Sequence, residues 1–237
     1  GVRQALRMTT GSFAGIGLLY NCCMDAFEFG GHIAWRPTPE YIERSRLTAF
    51  MRKHGLRHYA ELMHRSTTDL EWFWRAVLDD LGIQFFEPYR AVLDTSRGIA
   101  RTAWCVGGRM NIAHNYLDKW MGSEVEHRPA LHWEGEEGAT RTWTYRQLRQ
   151  EVHRCANGLR RMGIGRGDRV ALFMPMCPEL VAAFFAVIHA GGIVLPLFSG
   201  YGAEAVASRL EDSGAKALVT ADGFWRRGQL VPMKATA

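Results

Sequence analysis

The chain has 237 residues, 47% of them hydrophobic, 22% charged and 11% aromatic, with a formal net charge of +5. That apolar fraction excludes a wholly disordered chain, and the spread of charge excludes a long coiled coil. Five cysteines in no repeated short spacing form neither a disulfide framework nor a zinc motif, so a reducing, cytoplasmic setting is expected. Arginine supplies nearly all the positive charge, the lysines being Lys53, Lys119, Lys216 and Lys234. The arginines are scattered and mostly interleaved with acids, with no basic run longer than two residues and no alternating aromatic-basic pattern, which argues against nucleic acid as a partner.

Residues 1–34 carry glycines and no sustained hydrophobic period, and are expected to stand outside the fold, as non-native or disordered sequence. Ala14 to Met24 is apolar but too short to cross a bilayer, and no signal-peptide pattern precedes it. Leu172 to Phe198 is broken by Pro175, Pro178, Glu179, His189 and Pro196, so it reads as strand, helix, strand. No membrane partner is expected.

From Thr38-Pro39 a capped helix is predicted, ending at Gly55. Thr68-Asp69-Leu70-Glu71 has the capping-box spacing. Leu70, Phe73, Trp74, Val77, Leu78 and Leu81 follow on one helical face, and Gly82 ends it. Residues 83–108 read as irregular, and Asn111 is placed to cap a short helix reaching Trp120.

After residue 129 the pattern changes. Ala130–Trp133 and Thr140–Tyr145 flank Gly135-Glu136-Glu137-Gly138 as a hairpin. Thr144 and Gln147 form a second capping box, opening a helix with the stripe Leu148, Val152, Cys155, Leu159 and Met162. Strand 170–174, helix 178–190, strand 193–197, helix 203–212 and strand 217–220 follow. Apolar strands alternating with helices across short turns predict right-handed crossovers and a parallel sheet. The fold class is therefore α/β: a helical and irregular N-terminal region, then a layered domain truncated after its third parallel strand, with an unfilled face.

Several motifs invite chemistry and fail on context. Gly163-Ile164-Gly165-Arg166-Gly167-Asp168 ends a helix and enters a strand, the reverse of a dinucleotide fingerprint. His54, His58 and His64 lack a metalloprotease arrangement, and Ser199 lacks the upstream glycine of a nucleophile elbow. The loops after Leu197 and Thr220 lie where open α/β sheets collect ligands. Arg226 and Arg227 beside Trp225 suit a phosphate or a stacked base as well as a solvated pair. No catalytic residue and no metal ligand is assigned.

Taken together the sequence resembles the AMP-forming acyl-CoA synthetases of the adenylate-forming superfamily, on the acetyl-CoA synthetase branch. The resemblance runs from about residue 34 to residue 237. It rests on Trp104-Cys105-Val106-Gly107-Gly108-Arg109-Met110-Asn111 with Asn115 and Asp118, Cys105 standing where an aromatic is usual. His127-Arg128-Pro129-Ala130-Leu131 with Trp143–Leu148 resembles the opening of the AMP-binding domain. Gly165–Ala171, Met174-Pro175, Pro178-Glu179, Phe198–Tyr201, Glu204-Ala205, Arg209-Leu210 and Thr220–Gly223 continue it in order.

The resemblance implies residues 35–124 as an acetyl-CoA-synthetase-like N-terminal region and 125–237 as the start of a truncated AMP-binding domain. It implies a carboxylate, ATP with Mg2+, and coenzyme A as partners, reacting through an acyl-adenylate on short-chain acids such as acetate. The family's Ser/Thr/Gly-rich lysine loop, adenine motif and lid lysine are absent, so these residues by themselves are expected to be inactive. Phe198, Ser199 and Gly200 match a segment lying against coenzyme A. Arg226 matches the first of two arginines that hold its 3′-phosphate nucleotide. The second position is Gln229, with Arg227 a nearby guanidinium. The alternative is a stand-alone noncatalytic α/β module for a phosphate-bearing ligand. Oligomeric state is left open.

Overall fold

The computed structural model describes residues 35–237, and the expectations for residues 1–34 lie outside them. The described residues divide between two compact units, with the boundary between His64 and Arg65.

In the first unit, α1 (Pro39–Glu43) and α2 (Arg46–Lys53) replace the single helix expected from Thr38 to Gly55. The break is Ser45, whose extended backbone lets its Oγ accept the Thr48 N–H at 3.1 Å. A serine that satisfies a free amide of the next turn favours a new helix start over continuation. Helix α3 (Tyr59–Thr68) follows.

Because Thr68 is the last residue of α3, it is unavailable as a cap, and the expected capping box does not form. Asp69 caps α4 (Leu70–Asp80) instead, accepting the Trp72 N–H at 3.1 Å. The predicted apolar stripe is largely open to solvent, Ala76 being the buried residue of α4. Residues 83–108 contain an unexpected antiparallel pair, β1 (Ala91–Asp94) and β2 (Ala103–Val106). Cys105 at φ +46° and Gly107 at φ +80° turn the chain out of β2. A Cβ on Gly108 would lie 3.0 Å from the Cys105 carbonyl and the Phe85 ring, a tight approach at which one of these neighbours must give way.

The segment that follows is a clasp. Asn111 caps α5 (Ile112–Tyr116) through the Ala113 N–H at 2.8 Å and donates to the Ile188 carbonyl at 2.9 Å. Asn115, buried, accepts from Gln84 N and donates to Gln84 O, both at 2.8 Å. A buried primary amide paired on both sides avoids the cost of orphaned polar groups. The helix expected up to Trp120 ends at Tyr116, and a 3-10 turn, Asp118–Trp120, continues it.

The hairpin is β3 (Pro129–Glu134) with β4 (Thr140–Thr144). The capping box then forms as expected: Thr144 Oγ1 accepts the Gln147 N–H and Gln147 Oε1 accepts the Thr144 N–H. It opens α6 (Tyr145–Arg161), which buries Leu148, Val152, Ala156 and Leu159. Met162, expected in that stripe, is 71% exposed, because the helix has ended before it.

The central sheet consists of β5 (Arg169–Phe173), β6 (Ile193–Leu197) and β7 (Ala217–Thr220), parallel, in the order β6-β5-β7. Helix α7 (Pro178–His189) connects β5 to β6, and α8 (Ala203–Ser213) connects β6 to β7. In β5, Val170 and Leu172 pack with α6 and α7. Ala171 and Phe173 pack with Leu197, Val206 of α8 and Met233 of α9 (Met233–Thr236). Burying each such large aliphatic or aromatic side chain contributes about 1.5–3 kcal/mol. Both faces of β5 are therefore covered, where an unfilled face was expected, since residues after β7 return to close the second side. The outer strands are less protected, and Ile193 of β6 is 53% exposed.

Candidate functional site

The register fixes where a ligand can sit. Phe173 is level with Leu197 on one side and Thr220 on the other, so the three strands end together. At these carboxyl ends, after residues 174–177, Ser199 and residues 220–226, a cavity of about 1110 Å3 opens. The hairpin tip, Gly135 to Glu137, forms its opposite wall.

The hairpin is tied to α7 and to the loop that precedes it. Arg141 makes a two-pronged pair with Glu179, at 2.6 and 2.7 Å. The Trp133 indole N–H donates to the Met176 carbonyl at 2.7 Å, and the Arg141 guanidinium lies 5.0 Å from the Trp133 ring centre. The Arg141 bond holds the Glu179 carboxyl below the usual carboxylate range. Glu179 sits in the first turn of α7, where the helix amides also favour a negative charge. Cys177, at the N-cap of α7, lines the cavity, and burial pushes its thiol up, so it is a poor nucleophile.

Beyond β7 the chain forms a second small hairpin, β8 (Phe224–Arg226) and β9 (Gln229–Val231). Arg227 at φ +52° and Gly228 at φ +72° make its two-residue turn, the left-handed pair typical of tight hairpins. Glu136 accepts the Arg227 N–H at 2.7 Å, linking the two hairpin tips. Gly223 is required: a Cβ there would lie 2.7 Å from the Val231 carbonyl oxygen.

The cavity wall includes Ser199 and Arg226 together with Glu136, Arg141, Glu179 and Asp222. Of the other sequence-selected residues, Phe198 is exposed and packs edge-on against Tyr201, centroids 5.6 Å apart. Gly200 follows it in the same turn, outside the cavity wall. Gln229 is the direct cross-strand partner of Arg226, and Arg227 occupies the turn between them. The structure thus brings Ser199 and Arg226 to one cavity and sets Gln229 beside Arg226. Glu136, Arg141 and Glu179 were not selected from the sequence; a bidentate pair 38 residues apart leaves no local signal.

The glycine string at 163–168 lies at the other end of the sheet, as its context predicts. There Asp168 accepts the Gly165 N–H at 2.8 Å and meets Lys216 Nζ at 3.0 Å, so its own carboxylate occupies the amide a phosphate would need. Bonds from Gly165 and Lys216 keep the Asp168 carboxyl below its ordinary range. Among the described residues no helix is long and apolar enough to cross a membrane.

Known proteins resemble this chain in sequence and in fold. Residues 118–236 match the family model described as AMP-binding enzyme, and residues 59–116 match acetyl-coenzyme A synthetase N-terminus. A 3-hydroxypropionyl-coenzyme A synthetase of Sulfurisphaera tokodaii is 38% identical over 183 residues, 77% of this chain and 28% of that protein. An acetyl-coenzyme A synthetase of Rhodopirellula baltica is 40% identical over 185 residues, 75% of this chain and 27% of its own length. The solved acetoacetyl-CoA synthetase from Streptomyces lividans superposes with TM-score 0.77 at 29% identity, covering 85% of this chain and 32% of that one. The chain spans less than a third of the length of these relatives.

Proposed function

The chain belongs to the AMP-binding enzyme family, in its acetyl-CoA synthetase branch, and from that premise we propose that it is the N-terminal part of an AMP-forming acyl-CoA synthetase. In the reaction proposed, a carboxylate oxygen attacks the α-phosphorus of ATP, carried as its magnesium complex, and pyrophosphate leaves. The thiol of coenzyme A then attacks the acyl carbon of the adenylate, losing its proton, and AMP leaves. Short-chain acids such as acetate are the proposed substrates, since relatives named for acetyl and 3-hydroxypropionyl groups flank this chain. The setting proposed is cytoplasmic.

Within these residues we assign one role, contact with the phosphate-bearing end of coenzyme A at the cavity beyond β7. The observation that carries it is Arg226, which lines the cavity from a hairpin whose turn sets Gln229 directly beside it. A guanidinium at that position offers bidentate hydrogen bonds to a phosphate. Ser199 supplies a hydroxyl to the same cavity wall. Phe198, Gly200 and Arg227 are proposed as flanking contacts.

The adenylation step is assigned to no residue here, because the sequence has no glycine-rich loop ending in lysine to carry the triphosphate. The isolated 237 residues are proposed to lack ligase activity. ATP–pyrophosphate exchange driven by acetate tests this directly, and exchange well above a no-enzyme blank contradicts it. The covered faces of β5 favour a second reading, a module that holds a phosphate-bearing ligand without catalysing its transfer. Coenzyme A binding without exchange is common to both readings. Acetyl-CoA formation by a longer form of the protein separates them.

A further inference from the structure

We propose that Asp118, His153 and His189 form a site for one divalent transition-metal ion of the zinc type, clasping three elements of the fold.

The three side chains come from the 3-10 turn at Asp118–Trp120, the middle of α6 and the last residue of α7. His153 Nε2 lies 3.1 Å from Asp118 Oδ1, and His189 Nε2 lies 3.8 Å from Asp118 Oδ2. All three residues place a ligand atom within 4.8 Å of the others, the one such group of three among the described residues. A tetrahedral ion with bonds of about 2.0–2.2 Å holds its ligand atoms roughly 3.3–3.6 Å apart. Small ring rotations close that difference. The side chains are 21%, 32% and 23% exposed, sheltered but open enough for a water as fourth ligand.

The surroundings select the ion and limit its affinity. Two imidazoles and one carboxylate suit zinc, nickel, cobalt or copper, whereas magnesium and calcium require a shell of oxygens. Arg149 Nε donates to Asp118 Oδ1 at 2.6 Å, the outer bond that steadies a ligating carboxylate while Oδ2 stays available. Arg160 opposes the ion: its Nη2 donates to His189 Nδ1 at 3.2 Å, which places the His189 proton on Nε2. Metal entry at Nε2 therefore requires the other neutral tautomer, with the proton on Nδ1. Arg160 then keeps only its bond to the His189 carbonyl, at 2.9 Å. Two guanidiniums beside a dication place the expected dissociation constant on the order of micromolar, short of the far tighter structural zinc sites.

The test uses the 237-residue chain and the bare ions. Titration with Co2+ is followed by its visible absorption, and Zn2+ and Mg2+ are compared by thermal melting. One Co2+ per chain is expected, with Tm rising in Zn2+ and unchanged in Mg2+. His153→Gln and His189→Gln each weaken Co2+ binding by about tenfold or more, with circular dichroism unchanged. In the unsubstituted protein, Zn2+ slows diethylpyrocarbonate modification of His153 and His189 relative to the other seven histidines of nine. That readout is independent of variant folding. The proposal is overturned if these two histidines gain no protection, or if the double variant binds Co2+ as tightly as the parent.

Discussion

Arg226 and Gln229 face each other across the β8–β9 ladder, Cα partners separated by a two-residue left-handed turn. A spacing of three in sequence therefore becomes side-by-side placement, with both side chains on the face that Phe224 and Val231 share. Gln229→Arg places a second guanidinium next to the first. The expected outcome is coenzyme A binding tighter by several-fold, with a steeper loss of affinity as salt is raised. Calorimetry at two salt concentrations measures it.

Gly223 admits no side chain, since a Cβ would sit 2.7 Å from a backbone oxygen of β9. Gly223→Ala is expected to cost about 1–3 kcal/mol and to loosen β8–β9 first. Hydrogen exchange should rise at residues 224–231 while β5 stays protected. Uniform protection across both segments would contradict the close approach.

The Arg141–Glu179 pair makes stability depend on pH with a definite sign. Arg141 holds the Glu179 carboxyl below its usual range in the folded chain. Folding therefore favours the charged form, and the stabilisation is full above the ordinary carboxylate range and lost as pH falls through the lowered value. Both side chains are about half exposed, so the effect is modest. Glu179→Gln should lower the neutral plateau of urea-denaturation stability modestly and flatten the acid limb between about pH 5 and pH 3, the two proteins converging at the acid end.

Leu148 is fully buried where α6 meets β5 and α7. Leu148→Ala is expected to cost about 2–5 kcal/mol, through lost burial and the cavity left behind. Met162→Ala, at the exposed residue that directly follows the helix, is expected to change stability by less than about 0.5 kcal/mol. Urea denaturation of the two variants compares a periodic position that is buried with one that is not.

These contrasts mark what local sequence reveals. Helix α6 was legible because its capping box and its 3.6-residue period agree, and the packed face is continuous from Leu148 to Leu159. The box at Thr68 was misleading because α3 already uses that residue, and Asp69 is the better acceptor for a fresh helix. Hairpin β8–β9 escaped notice because Arg227-Gly228 is not the Asn-Gly turn that advertises a tight hairpin. The parallel strands were legible as apolar runs between helices. The closing of the second face by Met233 and Phe224 was not, since these contacts join residues far apart in the chain.

The site was legible in the same uneven way. Ser199 and Arg226 were found because loops after parallel strands collect ligands. The far wall of the cavity comes from hairpin β3–β4, where Glu136 meets Arg227 across 91 positions. The Asp118–His153–His189 cluster likewise joins residues 35 or more apart, so no spacing motif could have announced it.

The central claim is that the cavity beyond β7 grips the phosphate-bearing end of coenzyme A through Arg226. The most direct measurement is calorimetric binding of coenzyme A and of dephospho-coenzyme A to the 237-residue chain and to its Arg226→Ala variant. The account predicts that the parent chain favours the 3′-phosphorylated form, and that Arg226→Ala weakens it by roughly tenfold or more, removing most of that preference. Equal affinity of the parent for both forms, or an unchanged preference in the variant, would contradict it.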